Sequence, residues 1–174
     1  AIFLDDADNT KITGNRFLKN KVVRTGTGDG GYGGAIACMD STSFGEAAVE
    51  IAHNFFIENT VTPGIGGAIG VTGEDEVTAA RGIDNDGGIK LTMSDNTFTD
   101  NSTVAVAGSI SHGRGGAVEL KGTDTVVLIT GDKFFRNSAF TDGGAISLLD
   151  FAKATVRDCK FYGNTASDDG GAVA

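Results

Sequence analysis

The chain has 174 residues, of which 27 are Gly and one is Pro, and its formal net charge at pH 7 is −9. Gly is well above its usual share of about 7%, but no Gly-X-Y period accompanies it, which excludes collagen; the 40% hydrophobic content excludes a disordered chain. The acidic charge argues against a nucleic-acid partner, and no apolar run reaches the ~20 residues of a membrane-spanning helix.

Two short motifs alternate along the chain and divide it into five units. The units cover about residues 1–34, 35–67, 68–116, 117–144 and 145–171, and together they predict a single repeat array over 1–174. The first motif, Phe-x-x-Asn, begins at Phe17, Phe56, Phe98, Phe134 and Phe161 and ends at Asn20, Asn59, Asn101, Asn137 and Asn164. The second motif, Gly-Gly-Ala-(Ile/Val), occupies residues 33–36, 66–69, 115–118, 143–146 and 170–173.

Each unit is predicted to contain three short strands, in the same order along the chain. The first follows Gly-Gly-Ala, where apolar residues alternate as in Ile36-x-Cys38 and Ile69-x-Val71, a pattern typical of a strand with one buried face. The third contains the Phe of the Phe-x-x-Asn motif. The second precedes it and carries an apolar residue five positions before the Phe, at Ile12, Ile51, Met93, Ile129 and Val156.

The units are expected to stack, because the smallest of them, 145–171, is too short to bury an apolar face alone. Stacking in register places equivalent residues above one another at the strand spacing of about 4.8 Å. The Phe residues would then form an aromatic stack, and the Asn residues would form hydrogen-bonded ladders at the corners. The sequence therefore predicts an all-β fold, a right-handed parallel β-helix of about five rungs.

Two other repeat folds are less compatible with these units. A leucine-rich repeat needs a helical segment after its Asn, and the stretch Ser138–Asp142 is too short for one. A β-propeller blade needs about 40 residues, more than the shortest unit contains.

The alternating motifs also resemble a known family. Phe-x-x-Asn with Gly-Gly-Ala-(Ile/Val) is similar to the repeat of the chlamydial polymorphic membrane proteins, which are autotransported surface adhesins, and the resemblance covers nearly the whole chain. It implies an extracellular or cell-surface location and an adhesive or structural role.

Insertions in the repeat mark candidate binding loops. Lys21–Tyr32 and Ser102–Arg114 open the same corner two rungs apart, and Thr72–Gly87 opens a different corner. Loops that project from a rigid solenoid often carry its binding function. A ligand- or carbohydrate-binding module that uses loops 21–32 and 102–114 is therefore the alternative function.

No cofactor is expected. The Gly-rich stretch 26–31 matches a dinucleotide fingerprint but lacks the helix that would hold the pyrophosphate. Asp84 and Asp86 resemble the start of a calcium loop, with Glu74–Glu76 in the same insertion, but the bidentate acid that should follow is missing. A weak Ca²⁺ site near Asp84 and Asp86 stays open as a prediction.

Catalysis is also not expected. Pectate-lyase-like enzymes share the fold and cluster acids with a basic residue, whereas Asp95, Asp158 and Arg157 are expected in unrelated columns and rungs. His53 and His112 are too few for a zinc site. A polysaccharide lyase or hydrolase is accordingly the third choice, and no catalytic or metal-binding residues are assigned.

Two further expectations follow from the register of the units. Cys38 falls among inward hydrophobic residues and Cys159 in a corner column three to four rungs away, so no intrachain disulfide is expected. Asn101 begins a glycosylation sequon, but its amide should be occupied at the corner.

The last expectation concerns the two ends of the array, which carry no polar cap. The favoured function is a stalk or filament segment whose partners, at both ends, are further copies or segments of the same β-helix.

Overall fold

The computed structural model describes residues 1–5, 7–24, 31–39, 46–73, 88–105, 113–122, 125–150 and 152–174. In these residues the fold is all-β and every strand pairing is parallel. The described part of the chain contains no helix long and apolar enough to cross a membrane.

The strands follow one another in five rungs. Rung 1 contains β1 (Ile2–Asp5), β2 (Thr10–Thr13), β3 (Arg16–Leu18) and β4 (Lys21–Val23). After the short β5 (Gly31–Tyr32), rung 2 contains β6 (Ile36–Met39), β7 (Glu46–Ala52), β8 (Phe55–Ile57) and β9 (Thr60–Thr62). After β10 (Gly64–Ile65), rung 3 contains β11 (Ile69–Thr72), β12 (Gly88–Ser94), β13 (Thr97–Thr99) and β14 (Ser102–Thr103).

Two more rungs complete the array. Rung 4 contains β15 (Val118–Lys121), β16 (Val126–Thr130), β17 (Lys133–Phe135) and β18 (Ser138–Ala139). Rung 5 contains β19 (Ile146–Leu149), β20 (Lys153–Arg157), β21 (Lys160–Tyr162) and β22 (Thr165–Ala166). Beyond it, Val173 forms a parallel bridge with Ile146.

Equivalent strands of successive rungs form four five-stranded sheets, which we call A, B, C and D in the order in which a rung meets them. Strands β5 and β10 pair separately. This stacked arrangement confirms the predicted parallel β-helix of about five rungs.

The number of strands per rung differs from the prediction, which was three. The structure forms a fourth strand in every rung, the strand of sheet D that follows the Asn of Phe-x-x-Asn. These strands are two or three residues long and consist mainly of small or polar residues. Such segments carry too little alternation to be recognised from sequence.

The core is filled from the inward faces of all four sheets. Ile36, Ile69, Val118 and Ile146 form one fully buried column in sheet A, and Ile51, Met93 and Ile129 form another in sheet B. Sheet C contributes the Phe column, and sheet D contributes small residues such as Val61 and Ala139.

The Gly-Gly-Ala motif makes a turn that leaves no room for side chains. Gly143 has φ 63°, and a Cβ on it would overlap the carbonyl oxygen of Ile146. A Cβ on Gly144 would instead overlap the carbonyl oxygen of Gly171 in the next turn of the coil. The first Gly is therefore required within the rung, and the second is required between rungs.

Candidate functional site

The five Phe residues of the repeat form a continuous stack through sheet C. Their rings lie nearly parallel, with interplanar angles of 3° to 5°. The centroid distance is 4.7 Å between Phe56 and Phe98 and between Phe98 and Phe134, which is the spacing of the rungs themselves. The inner rings, Phe56, Phe98 and Phe134, are fully buried.

The Asn residues of Phe-x-x-Asn form a hydrogen-bonded column beside the stack. The backbone N–H of Asn101 donates to Oδ1 of Asn137 at 3.0 Å, and its Nδ2 donates to the same oxygen at 2.9 Å. The same Nδ2 also donates to the carbonyl oxygen of Phe56. These contacts recur from Asn20 to Asn164, so each inner Asn (Asn59, Asn101 and Asn137) joins its rung to both neighbouring rungs.

A second polar column lies at the other end of the Phe strand. Asn15, Asn54 and Asn96 make the same contacts there, and the column continues through Asp132 and Cys159. These residues were visible in the sequence as a mostly short and polar position two residues before the Phe. They were not assigned as site residues.

Asp132 is the exception in this second column, because a carboxylate has no proton to donate. Its Oδ1 accepts from both nitrogens of Asn96, at 2.7 and 3.2 Å, but the buried Oδ2 has no partner among the described residues. Asn54 and Asn96 use the equivalent atom, Nδ2, to donate to backbone carbonyls. Burial raises the pKa of Asp132 to about 7.

Both polar columns are preceded by a residue with positive φ, which turns the chain at the corner. After the Phe strand these residues are Lys19, Glu58, Asp100 and Arg136, with φ between 51° and 55°. Opposite charges pair along this corner: Lys19 lies 3.4 Å from Glu58, and Arg136 makes a bidentate contact with Asp100.

The corner before the Phe strand corrects one expectation. Asp95 and Asp158 share one column, two rungs apart, and are not in unrelated columns. His53 belongs to the same column, with its Nδ1 4.0 Å from Oδ2 of Asp95. All three have φ between 53° and 56°, so a turn requirement places them there, together with Gly14 and Gly131.

Both cysteines are free, as predicted. Cys38 lies in the inward column of sheet A with Leu4, Val71 and Leu120. Burial raises its thiol pKa to about 12. Cys159 lies in the second polar column, and its Sγ faces the carbonyl oxygen of Arg157 at 3.1 Å.

A buried carboxyl group lies on the outward side of sheet A. Glu119 is 1% exposed, and Ser147 occupies the equivalent position one rung further on. Neither Glu119 Oε2 nor Ser147 Oγ has a hydrogen-bond partner among the described residues. Burial raises the pKa of Glu119 to about 8, opposed by the positive charges of Arg114 and Lys121.

The predicted binding loops lie largely outside the described residues. Of loop 21–32, residues 21–23 and 31–32 are strands and 25–30 are not described; of loop 102–114, residues 102–103 form a strand and 106–112 are not described. Asp84 and Asp86, where weak Ca²⁺ binding was considered, also lie outside. Where side chains are described, no three His, Cys, Asp or Glu residues are grouped to hold a metal ion.

A groove of about 360 Å³ lies on the outer face of sheet B. Its lining includes Lys11, Glu50, Lys90 and Thr92. Lys11 of rung 1 forms an ion pair with Glu50 of the adjacent rung 2, with 2.7 Å between Nζ and Oε2.

Phe17 and Phe161 are the first and last rings of the stack among the described residues. Each has a ring neighbour on one side, at 4.9 Å, and both are incompletely buried. Val156, in the column where Ile51, Met93 and Ile129 are fully buried, is 38% exposed. The backbone N–H of Asn137 donates to Oδ1 of Asn164. No described residue offers an equivalent acceptor to the backbone N–H of Asn164.

Comparison with known proteins confirms the resemblance in the last rung. Residues 158–174 match the model of the Chlamydia polymorphic membrane protein repeat. This stretch contains the fifth Phe-x-x-Asn motif and the fifth Gly-Gly-Ala motif. No curated protein and no solved structure matches the chain significantly.

Proposed function

We propose that the chain is a β-helical segment of an extracellular or cell-surface protein with a structural or adhesive role, and that it stacks end to end with further rungs of the same kind. The repeat match over residues 158–174 supports the surface location, because that family consists of membrane proteins. The proposed role needs no cofactor, metal ion or catalytic step.

The observation that carries this proposal is the in-register repeat of the same contacts between successive rungs. Each pair of neighbouring rungs is joined by a stacked pair of Phe rings and by the Asn ladder. An uncovered parallel rung also presents unpaired backbone donors and acceptors, which template pairing with another strand. A further rung would bury the rings and continue both polar columns in the same register.

Replacing Phe161 by Lys tests the proposal, because a charge inside the stack would oppose coverage of rung 5. Sedimentation velocity over a concentration series should show association of the unmodified protein and a monomer for Phe161→Lys. Tyr162→Lys is the matched control: Tyr162 is adjacent, 72% exposed and outward-facing, so this variant should associate like the unmodified chain.

The other end supplies an independent pair of variants. Phe17→Lys should also abolish association, whereas Leu18→Lys should not, because Leu18 is 44% exposed on the outer face. Circular dichroism of each variant checks that it remains folded. A protein that stays monomeric at all concentrations, or association that survives both Phe substitutions, would contradict the proposal.

Adhesion is tested separately from association. Beads coated with the protein should bind cultured cells more than beads coated with albumin. Deletion of residues 25–30 and 106–112 then separates the two candidate roles, since binding through the inserted loops would be lost and binding through the coil would remain.

A further inference from the structure

The outer faces of sheets B and C carry positive charge although the chain as a whole is acidic, with a formal net charge of −9. Among the described side chains that point outward from these two sheets, only Glu50 is acidic, and it forms an ion pair with Lys11. The cations on the same faces are Lys11, Lys90, Lys153 and Arg157 in sheet B, and Arg16, Lys133 and Lys160 in sheet C.

The cations are most concentrated in rungs 4 and 5. We call Lys133, Lys153, Arg157 and Lys160 the basic face; all four are exposed, and none forms an ion pair with a described residue. Asp158, at the corner between β20 and β21, is the adjacent carboxylate. Lys133 and Lys160 are direct neighbours in sheet C, so two like charges lie one strand spacing apart.

Such a pair is unfavourable, because like charges directly opposite each other in a sheet destabilise it. Elsewhere in the coil such charges are compensated: Glu58 and Asp100 are like-charged neighbours at one corner, but each forms an ion pair with a cation. Lys11 lies over Glu50, Lys19 over Glu58, and Asp100 over Arg136. The uncompensated cations of the basic face therefore point to an anionic ligand outside the chain.

Aromatic rings lie beside these cations. Tyr162 and Phe135 are two positions along β21 and β17 from Lys160 and Lys133, so they point outward on the same face. Tyr162 is 72% exposed. A flat surface with exposed rings beside cations can stack the apolar face of a sugar ring while it binds an acidic substituent.

We infer that the basic face binds an acidic polysaccharide that carries repeated carboxylate or sulfate groups. The inference rests on the proposed surface location, where such polymers are encountered. It does not depend on end-to-end stacking, because the outer faces of sheets B and C stay exposed when further rungs are added. Lys133 and Lys160 present two cations one strand spacing apart, and Lys153 and Arg157 extend the positive charge along β20.

Binding is measured by affinity electrophoresis and by titration with labelled polymers at several salt concentrations. Heparin and polygalacturonate serve as sulfated and carboxylated probes, dextran as the neutral probe and single-stranded DNA as the alternative polyanion. We expect binding of an acidic polysaccharide that weakens as salt rises. Equal binding of dextran, or tighter binding of DNA, would overturn the assignment.

Variants locate the site. Lys133→Gln combined with Lys160→Gln should weaken binding roughly tenfold or more, and Tyr162→Ala should weaken it without changing the salt dependence. Lys19→Gln, which removes a cation already paired with Glu58, should bind like the unmodified chain. Unchanged affinity in the double variant would contradict the inference.

One further variant separates this inference from the proposed function. Phe161→Lys, which should block association, should keep its affinity for the acidic polysaccharide. If the protein associates but does not bind the polysaccharide, only the proposed binding at the basic face is refuted. If it binds the polysaccharide but does not associate, only end-to-end stacking is refuted.

Discussion

At the scale of single residues, the polar columns require a hydrogen-bond donor at each rung. Asn54 and Asn96 supply it with Nδ2, and Cys159 places its thiol against backbone carbonyls. Asp132 can do so only when protonated, which is why the Oδ2 of its carboxylate lacks a partner. Burial raises the pKa of Asp132 to about 7. The carboxyl group of Asp132 can therefore donate a hydrogen bond at low pH, whereas at high pH its buried carboxylate cannot.

Asp132→Asn should stabilise the protein increasingly as pH rises from about 4 to 7. The folded-state pKa of Asp132 lies above the ordinary value of 3.8 for an Asp side chain, so the folded state binds the additional proton in this window and loses stability as that proton leaves. The gain above pH 7 should be of the order of 2–4 kcal/mol. Urea unfolding at pH 4 and pH 8 measures it.

Asp95→Asn is the control for this prediction, because Asp95 lies in a neighbouring corner column with an exposed side chain. Its effect on the unfolding free energy should be small at both pH values. An Asp132→Asn gain that is the same at pH 4 and pH 8 would contradict the assignment of the donor position.

The Phe stack predicts unequal losses at two adjacent residues. Phe134 is fully buried between two rings, whereas Phe135 points to the outer face. Phe134→Ala should reduce the unfolding free energy by roughly 3–5 kcal/mol, and Phe135→Ala should reduce it clearly less. Thermal and urea unfolding compare the two, and equal losses would mean that the register of sheet C is wrong.

At the scale of elements, the sequence was sufficient to predict the strands of sheets A, B and C, but not those of sheet D or the burial of Glu119 on the outward side of sheet A. The column of Phe17 to Phe161 could be read directly, because the motif has a fixed spacing. Strands such as β18, Ser138–Ala139, are too short for alternation to show. The Gly-Gly-Ala turn lies against the buried Glu119, since a Cβ on Gly115 would come within 2.9 Å of the Glu119 backbone nitrogen. No periodicity in the sequence encodes this contact.

The Gly-Gly-Ala turn should be less tolerant than an ordinary corner with the same φ. Gly143 and Gly14 have φ of 63° and 68°, but a Cβ on Gly14 meets nothing within 4 Å, whereas one on Gly143 overlaps the backbone of Ile146. Gly14→Ala should reduce the unfolding free energy by about 1–2 kcal/mol, and Gly143→Ala by clearly more. Comparable losses in urea unfolding would contradict the steric role of the turn.

At the scale of the whole molecule, the columns connect rungs so uniformly that an inner rung and an end rung differ only in what covers them. Phe98 and Phe161 share one column, yet only Phe98 has a ring on each side. The repeated contacts set no intrinsic limit on the number of rungs. The proposed end-to-end stacking would continue these same contacts into further rungs.

The most direct test of this account is the hydrogen exchange of the Asn164 amide as protein concentration rises. Asn137, whose N–H donates to Oδ1 of Asn164 at 3.0 Å, is the internal reference and should be protected throughout. Asn164 should exchange rapidly in the dilute monomer, become protected as rungs cover it, and stay unprotected in Phe161→Lys. Rapid exchange of Asn164 in fully associated protein would contradict the continuation of the column from one segment to the next.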